Sequence, residues 1–207
     1  AALGVGNIVG SNVANLSLVL GVAALITPIA LTSSVIKRQA PLSIAAVVAF
    51  AVTVVDGNLS RSEGTILFVL LVGATIVLVK TPEENSSSRR KAEKSVVSSL
   101  LWSLLGLGGV LIGAQLVVWG ATQLAERWGL SGGFIGFSLV ALGTSLPELV
   151  TAIAAARKHE AGLIVGNLFG SNLFNSLAGG AAMGLAGAGR IGDTKLTTGA
   201  LCAMLGA

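Results

Sequence analysis

Long apolar stretches alternate with short polar or charged segments along the whole chain. A helix needs roughly 20 residues to cross a bilayer, so each stretch is a candidate membrane span. The pattern predicts an all-α polytopic membrane protein with about seven spans, the last of them incomplete. In chain order the spans fall within 1–36, 41–55, 64–79, 96–125, 129–156, 161–188 and 196–207.

Composition supports the membrane class and excludes several others. The 207 residues are 53% hydrophobic and 11% charged, with a mean hydropathy of +0.87, whereas soluble domains carry about 25% charged residues. The single cysteine, Cys202, can form no disulfide within the chain. The single histidine, His159, lies in a basic loop, so a zinc or copper site is not expected. We expect no catalytic residues, no cofactor and no enzyme activity.

Basic residues sort to one side of the predicted membrane. If all seven spans cross, nine Lys and Arg side chains fall in the loops on one side and four in those on the other. Cytoplasmic loops carry the excess of Lys and Arg. The sequence therefore predicts that the first helix runs inward and that the polar loop 80–95 is cytoplasmic and solvated.

The two ends of the sequence both lie in apolar stretches. The chain begins A-A-L-G-V-G without a Met or a charged region, so a signal peptide is not predicted. It ends T-T-G-A-L-C-A-M-L-G-A, within the seventh span. We expect a fragment of a longer membrane protein, truncated at both ends.

A ten-residue motif occurs twice. Residues 6–15 read G-N-I-V-G-S-N-V-A-N and residues 166–175 read G-N-L-F-G-S-N-L-F-N, with six of the ten positions identical. An odd number of crossings separates the copies, so the two helices point in opposite directions. This is an inverted-topology repeat, a plan of secondary transporters that places the substrate site near the midplane.

Each copy of the motif presents a polar face. Residues four apart share one side of a helix, and each copy also contains a G-x-x-x-G pattern that allows close helix packing. The polar faces comprise Asn7, Ser11 and Asn15 in the first copy, and Asn167, Ser171 and Asn175 in the second. Hydrogen bonding between helices would explain a single copy, but its inverted duplication favours an ion or substrate site.

A carboxylate interrupts the fifth span. The stretch 138–152 reads S-L-V-A-L-G-T-S-L-P-E-L-V-T-A, and an ionisable residue such as Glu148 within a span marks an ion or proton pathway by default. Thr144 and Ser145 precede it by four and three residues and can share its face. Two alternatives to a cation ligand stay open for Glu148: a protonated glutamate that is hydrogen-bonded between helices, and a carboxylate that exchanges protons during transport.

The same stretch should also expose backbone oxygens. Pro147 removes an N–H, which frees the carbonyl of Gly143 and allows that of Ala141 to turn outward. Together with Ser171 and Asn175 of the sixth span, the donors are carbonyl, hydroxyl, amide and carboxylate oxygens. Hard cations such as calcium take this mixture.

These motifs resemble the sodium/calcium exchangers of the cation/calcium exchanger superfamily. G-T-S-L-P-E-L followed by G-N-L-F-G-S-N-L-F-N is similar to the second alpha repeat, and G-N-I-V-G-S-N-V-A-N to the latter half of the first. The resemblance covers the whole chain as helices 3 to 9 of ten. It implies a division into 1–79 (first half), the loop 80–95, and 96–207 (second half). The short loop favours a prokaryotic-type member without a regulatory calcium-binding domain.

The resemblance implies a function and a ligand set. Sodium and calcium would compete for a central site and cross by alternating access, with the bilayer and these ions as partners. The implied metal ligands are Ala141 through its carbonyl, Thr144, Ser145, Glu148, Ser171, Asn175, Ser11 and Asn15. The first-repeat helix with its own glutamate is absent, so we expect helices outside this sequence to complete the site.

Other couplings remain as alternatives. A proton/calcium or other cation antiporter would use the same carboxylate. Potassium-dependent exchange is less favoured because some relatives, including potassium-dependent ones, have Asp where this chain has Asn175. A cation channel or a purely structural helical bundle would not require the inverted repeat.

Overall fold

The computed structural model describes residues 2–31, 33, 35–80, 96–130, 132–187, 189–191 and 194–206. The predicted loop 80–95 therefore lies outside the described residues, except for Lys80. The described chain is almost entirely helical, which confirms the predicted fold class. Within the described residues, three helices are individually long and apolar enough to cross a membrane, and a bent pair adds a fourth if it counts as one span.

Four long helices make up most of the described chain before residue 128. They are α1 (Ala2–Ile26), α2 (Val35–Val54), α3 (Arg61–Lys80) and α4 (Val96–Arg127). α3 has a mostly exposed apolar surface, and Phe68 on α3 and Trp102 on α4 both face outward. An apolar exterior of this kind is suited to lipid.

The described chain after residue 128 contains a bent pair, a segmented helix and a final helix. α5 comprises Gly132–Ile135, a π-helical segment Gly136–Val140 and Ala141–Thr144, and α6 is Leu146–Arg157. α7 comprises Ala161–Phe174, a π-helical segment Asn175–Gly179 and Gly180–Leu185, and α8 is Thr194–Gly206. The seven predicted spans correspond in order to α1, α2, α3, α4, the pair α5–α6, α7 and α8.

A small β-ladder was not predicted. β1 (Asn58–Leu59) pairs antiparallel with β2 (Gly189–Arg190). Strands of two residues are too short to show an alternating pattern in the sequence. The ladder places the loop before α3 and the loop after α7 at the same end of the bundle.

At the opposite end of the bundle, a side-chain contact joins two loops. The Oγ1 atom of Thr27, just after α1, lies 2.9 Å from the Nδ1 atom of His159. His159 has a left-handed backbone (φ 58°) in the turn between α6 and α7. α2 runs from this end of the bundle to the end that carries the β-ladder. The loops at Thr27 and His159 therefore lie at one end and the loops of the ladder at the other, as the alternation of spans requires. Which end faces the cytoplasm stays a prediction.

The two motif-bearing helices are antiparallel neighbours at the centre of the fold. Asn15 of α1 donates to Asn172 of α7 at 2.9 Å. Asn12, one turn earlier on α1, donates to Ser176, one turn later on α7, at 2.8 Å. Because the numbering rises on one helix as it falls on the other, the copies run in opposite directions, as the inverted repeat predicts. The largest apolar core, with Val9, Phe50 and others, packs beside them.

Candidate functional site

The bend between α5 and α6 centres on Ser145. The two segments meet at 46°, and Ser145 has φ −91° and ψ 0°, outside the helical range. Pro147 lies in the first turn of α6, where a missing N–H is tolerated. The bend therefore follows from the proline, and it separates Thr144 from Glu148 on two short helices.

The backbone at the bend is more fully bonded than predicted. The N–H of Ser145 donates to the carbonyl oxygens of Ala141 at 3.0 Å and Leu142 at 3.2 Å. The carbonyl of Gly143 also accepts a backbone N–H at this junction. The expectation that Pro147 leaves the Gly143 carbonyl free was wrong, because a tight turn recovers the bond. The Ala141 oxygen accepts one N–H and keeps a second lone pair.

Polar oxygens at the bend lack partners. Glu148 is half-buried in the first turn of α6, and its Oε2 atom has no hydrogen-bond partner among the described residues. The same holds for the Oγ of Ser145, a residue that is 3% exposed. Buried polar atoms are almost always bonded to protein, water or an ion. Both oxygens are thus available to a ligand.

Helix α1 packs directly on α5. A Cβ at Gly10 would lie within 2.0 Å of the Phe137 carbonyl oxygen and 2.5 Å of the Ala141 Cβ. This close approach brings the Oγ of Ser11 within 3.1 Å of the Oγ1 of Thr144. Gly10 of the first G-x-x-x-G pattern therefore allows close helix packing, and Ser11, Thr144 and Ala141 come together.

A fully buried amide pair joins the two motif copies. Asn15 donates through Nδ2 to the Oδ1 of Asn172, and its own Oδ1 has no partner in the described part of the chain. Asn172 in turn donates to the backbone oxygen of Asn12 at 3.4 Å. The sequence analysis did not single out Asn12 or Asn172. Their identity in both motif copies was the available signal.

Both copies end in a π-helical segment, which the sequence analysis also missed. The segment Asn15–Val19 begins at the last matched asparagine of the first copy, and Asn175–Gly179 begins at that of the second. Such π-bulges inside α-helices occur frequently at functional sites. The first of them packs against α6, the helix that carries Glu148.

The second copy is less enclosed. Ser171 and Asn175 are half-buried, and no hydrogen bond between described residues joins either to the other candidate ligands. The Nδ2 of Asn167 has no partner among the described residues. A Cβ at Gly170 would meet nothing within 4 Å. The structure therefore brings Ser11, Thr144 and Ala141 together and packs the segment that begins at Asn15 against α6, but it leaves the face of α7 at Gly170 open.

The donor set is made of oxygen. No group of three or more His, Cys, Asp or Glu side chains occurs in the described ranges. Hydroxyl, amide and carbonyl oxygens with one carboxylate suit alkali and alkaline-earth cations rather than transition metals.

Comparison with protein families decides the assignment. Residues 1–80 and 98–206 match the model of the sodium/calcium exchanger protein family. The chain belongs to the sodium/calcium exchanger family. The unmatched residues, 81–97, lie between α3 and α4 and include the first two residues of α4.

Individual exchanger-family relatives agree with this assignment. An uncharacterized membrane protein of Methanocaldococcus jannaschii is 38% identical over 183 residues, covering 88% of this chain and 60% of that protein. The sodium/calcium exchanger MaX1 of Methanosarcina acetivorans is 28% identical and covers 83% of this chain and 61% of its own length. The chain thus spans about three fifths of the curated relatives it matches.

A solved exchanger has the same architecture. The sodium-calcium exchanger NCX_Mj, soaked with sodium and strontium, superimposes with a TM-score of 0.74 at 33% identity. The match covers 99% of this chain and 67% of NCX_Mj. The polytopic helical exchanger fold is therefore confirmed.

Proposed function

We propose that this chain forms the ion-binding part of an antiporter that exchanges sodium for calcium by alternating access. Membership of the exchanger family supports cation antiport. MaX1 and NCX_Mj are both named sodium/calcium exchangers, which favours these two ions as substrates.

The observation that carries the proposal is a set of buried oxygens without partners. Glu148 Oε2, Ser145 Oγ and Asn15 Oδ1 lack hydrogen bonds among the described residues. The π-helical segment that starts at Asn15 contacts the helix that carries Glu148. A cation bound between these segments would satisfy all three oxygens at once.

The proposed ligands are those that the resemblance implied. Glu148 supplies charge, Ala141 a carbonyl, and the others hydroxyl or amide oxygens. The full set is Ala141, Thr144, Ser145, Glu148, Ser171, Asn175, Ser11 and Asn15. Calcium takes six to eight oxygen ligands, so a set of this size is sufficient in number.

A helix from outside this chain would complete the site. The face of α7 around Gly170 has no covering atoms in the described part of the structure, whereas the equivalent face of α1 is covered by α5. Asn167 leaves its amide nitrogen unpartnered on that helix. We expect a helix like α5–α6, with a second glutamate, to pack there and to balance the charge of a divalent ion.

The proposed topology divides the chain at its polar loop. Segments 1–79 and 96–207 would form the two inverted halves in the cell membrane, with 80–95 facing the cytoplasm. Labelling of Ser87→Cys in a Cys202→Ala background tests this orientation. A membrane-impermeant maleimide should react only after intact cells are opened, and reaction with sealed cells would contradict it.

Transport by the full-length protein in vesicles tests the function. A sodium gradient should drive calcium uptake, and Glu148→Gln should abolish it because the only described carboxylate of the site loses its charge. Glu126→Gln, an exposed glutamate near the end of α4, is the matched control. Unchanged uptake by Glu148→Gln would refute the site.

The same vesicles separate the alternatives. Uptake driven by a pH gradient without sodium would select proton/calcium antiport. A requirement for potassium on the sodium side would select potassium-dependent exchange. Conduction of calcium without any counter-ion would indicate a channel.

A further inference from the structure

Asn7 bonds to two of the candidate ligands but is not itself one of them. It lies one turn before Ser11 on α1 and is half-buried. Its Oδ1 atom accepts a hydrogen bond from the Oγ1 of Thr144 at 2.8 Å and from the Oγ of Ser11 at 3.5 Å. One amide oxygen is thus within reach of hydroxyls from two different helices.

The hydroxyl of Thr144 has a choice of acceptors. It has a single proton, and besides the Asn7 oxygen it can reach the carbonyl oxygen of Ala141 at 3.2 Å. The Ala141 oxygen already accepts the N–H of Ser145 at 3.0 Å. A proton from Thr144 would therefore occupy its last lone pair, and that carbonyl could no longer bind a cation.

The shorter contact to Asn7 resolves the choice. With the Thr144 proton directed to Asn7, the Ala141 oxygen keeps a free lone pair. Ser11 can then donate to Thr144 over 3.1 Å, since this is shorter than its 3.5 Å contact to Asn7. Hydroxyl protons must point away from a bound cation, because only oxygen lone pairs can coordinate it.

We propose that Asn7 is a positioning residue of the cation site. Its amide oxygen holds the Thr144 proton away from the Ala141 carbonyl, so that three oxygens, those of Ala141, Thr144 and Ser11, present lone pairs to the ion. This inference rests on the proposed function of the site.

The backbone fixes the geometry of this arrangement. The approach of α1 to α5 at Gly10 leaves no room for a side chain. The distance between Asn7 and Thr144 is therefore set by helix packing rather than by flexible side chains. Groups that orient metal ligands in this way typically change metal affinity by about 10–100-fold when they are mutated.

Calcium-dependent exchange by the full-length protein tests the role of Asn7. Asn7→Leu keeps the size but removes the acceptor, and it should raise the KM for calcium by about tenfold or more while the maximal rate changes little. Asn7→Asp keeps an acceptor oxygen and should stay within about threefold of the wild-type KM. Ser17→Ala is the matched control, because Ser17 is exposed on the same helix and bonds only to the Val13 carbonyl in the described structure.

A second background shows whether Asn7 acts through Thr144. In Thr144→Val, the further change Asn7→Leu should have little additional effect on KM, because the proton that Asn7 holds is gone. Thermal unfolding in detergent identifies a variant that has merely lost its fold. If Asn7→Leu does not fold, Asn7→Ala gives the same comparison with a shorter side chain that also lacks an acceptor.

The outcomes distinguish this inference from the proposed function. Failure of the wild-type protein to exchange calcium would refute the function itself. A wild-type KM for Asn7→Leu in an active exchanger would overturn only the role of Asn7. Equal impairment of Asn7→Leu and Asn7→Asp would also overturn it, because the amide nitrogen rather than the oxygen would then be the essential group.

Discussion

The two copies of the ten-residue motif share six residues, all polar or glycine, but have different surroundings. In the first copy, Gly10 is pressed against α5, with a Cβ position only 2.0 Å from the Phe137 oxygen. In the second, Gly170 has no neighbour within 4 Å of that position among the described residues. Ser11 and Asn7 of the first copy bond to Thr144, whereas the Nδ2 of Asn167 in the second lacks a partner there.

This difference shows which features depend on the motif itself and which depend on the helix that packs against it. Both helices turn to π geometry at the same matched asparagine, Asn15 in one and Asn175 in the other. Helix shape is thus common to both copies. Among the described residues, in contrast, the hydroxyl network occurs only at the first copy, where a bent helix pair covers the glycine face. The motif is therefore one half of a site, and a covering helix supplies the other half.

Substitutions at the two glycines, Gly10 and Gly170, should give the largest difference in stability between the two copies. Gly10→Val should destabilise the protein by about 3 kcal/mol or more. The added side chain would overlap the backbone of α5, which cannot move aside as a flexible side chain could. Gly170→Val should have little effect in the chain as given. Thermal unfolding of both variants in detergent measures the difference.

The same pair of variants in the full-length protein sharpens the comparison. If a helix like α5–α6 covers α7, Gly170→Val should become as damaging as Gly10→Val. Tolerance of Gly170→Val there would show that no helix packs on this face.

The asparagine pair between the copies gives an intermediate effect. Asn172→Leu removes the acceptor of the buried Asn15 Nδ2 and should destabilise the fold by about 1–3 kcal/mol. Asn175→Leu, at a half-buried position, should affect calcium affinity more than stability. Unfolding midpoints and calcium titrations of the two variants measure both effects. Equal loss of stability in both would contradict the division between structural and ligand asparagines.

The contact between Thr27 and His159 gives the smallest effect. It ties the end of the first-copy helix to the turn that leads into the second. Thr27→Val removes one partly buried hydrogen bond to the exposed His159 and should lower stability by about 1 kcal/mol. A double-mutant cycle with His159→Ala checks that the lost stability comes from this contact. If the losses in unfolding free energy of the two single variants simply add in the double variant, the two residues do not interact.

Much of the fold follows from the sequence because bilayer physics constrains it strongly. Apolar length predicted the helices, and the duplicated motif predicted two antiparallel helices, which the bonds from Asn15 to Asn172 and from Asn12 to Ser176 bear out. The proline at position 147 predicted the break next to Glu148. Each of these features can be read from a pattern in the sequence, without knowledge of individual tertiary contacts.

The details that were missed depend on contacts between distant residues. The Gly143 carbonyl is bonded because the chain tightens at Ser145, which the proline alone does not dictate. The role of Asn7 appears only once Thr144, far along the sequence, is placed beside it. The pairing of Asn58–Leu59 with Gly189–Arg190 is likewise a product of tertiary packing.

Calcium binding to the purified full-length protein tests the central claim most directly, namely that both motif copies serve one shared ion site. A titration of the wild type should show a single binding event that sodium displaces. Ser11→Ala and Ser171→Ala should each weaken that same event, by roughly tenfold for the loss of about 1.4 kcal/mol, and leave one event in place. Two separable binding events, each lost in only one of the variants, would contradict a shared site.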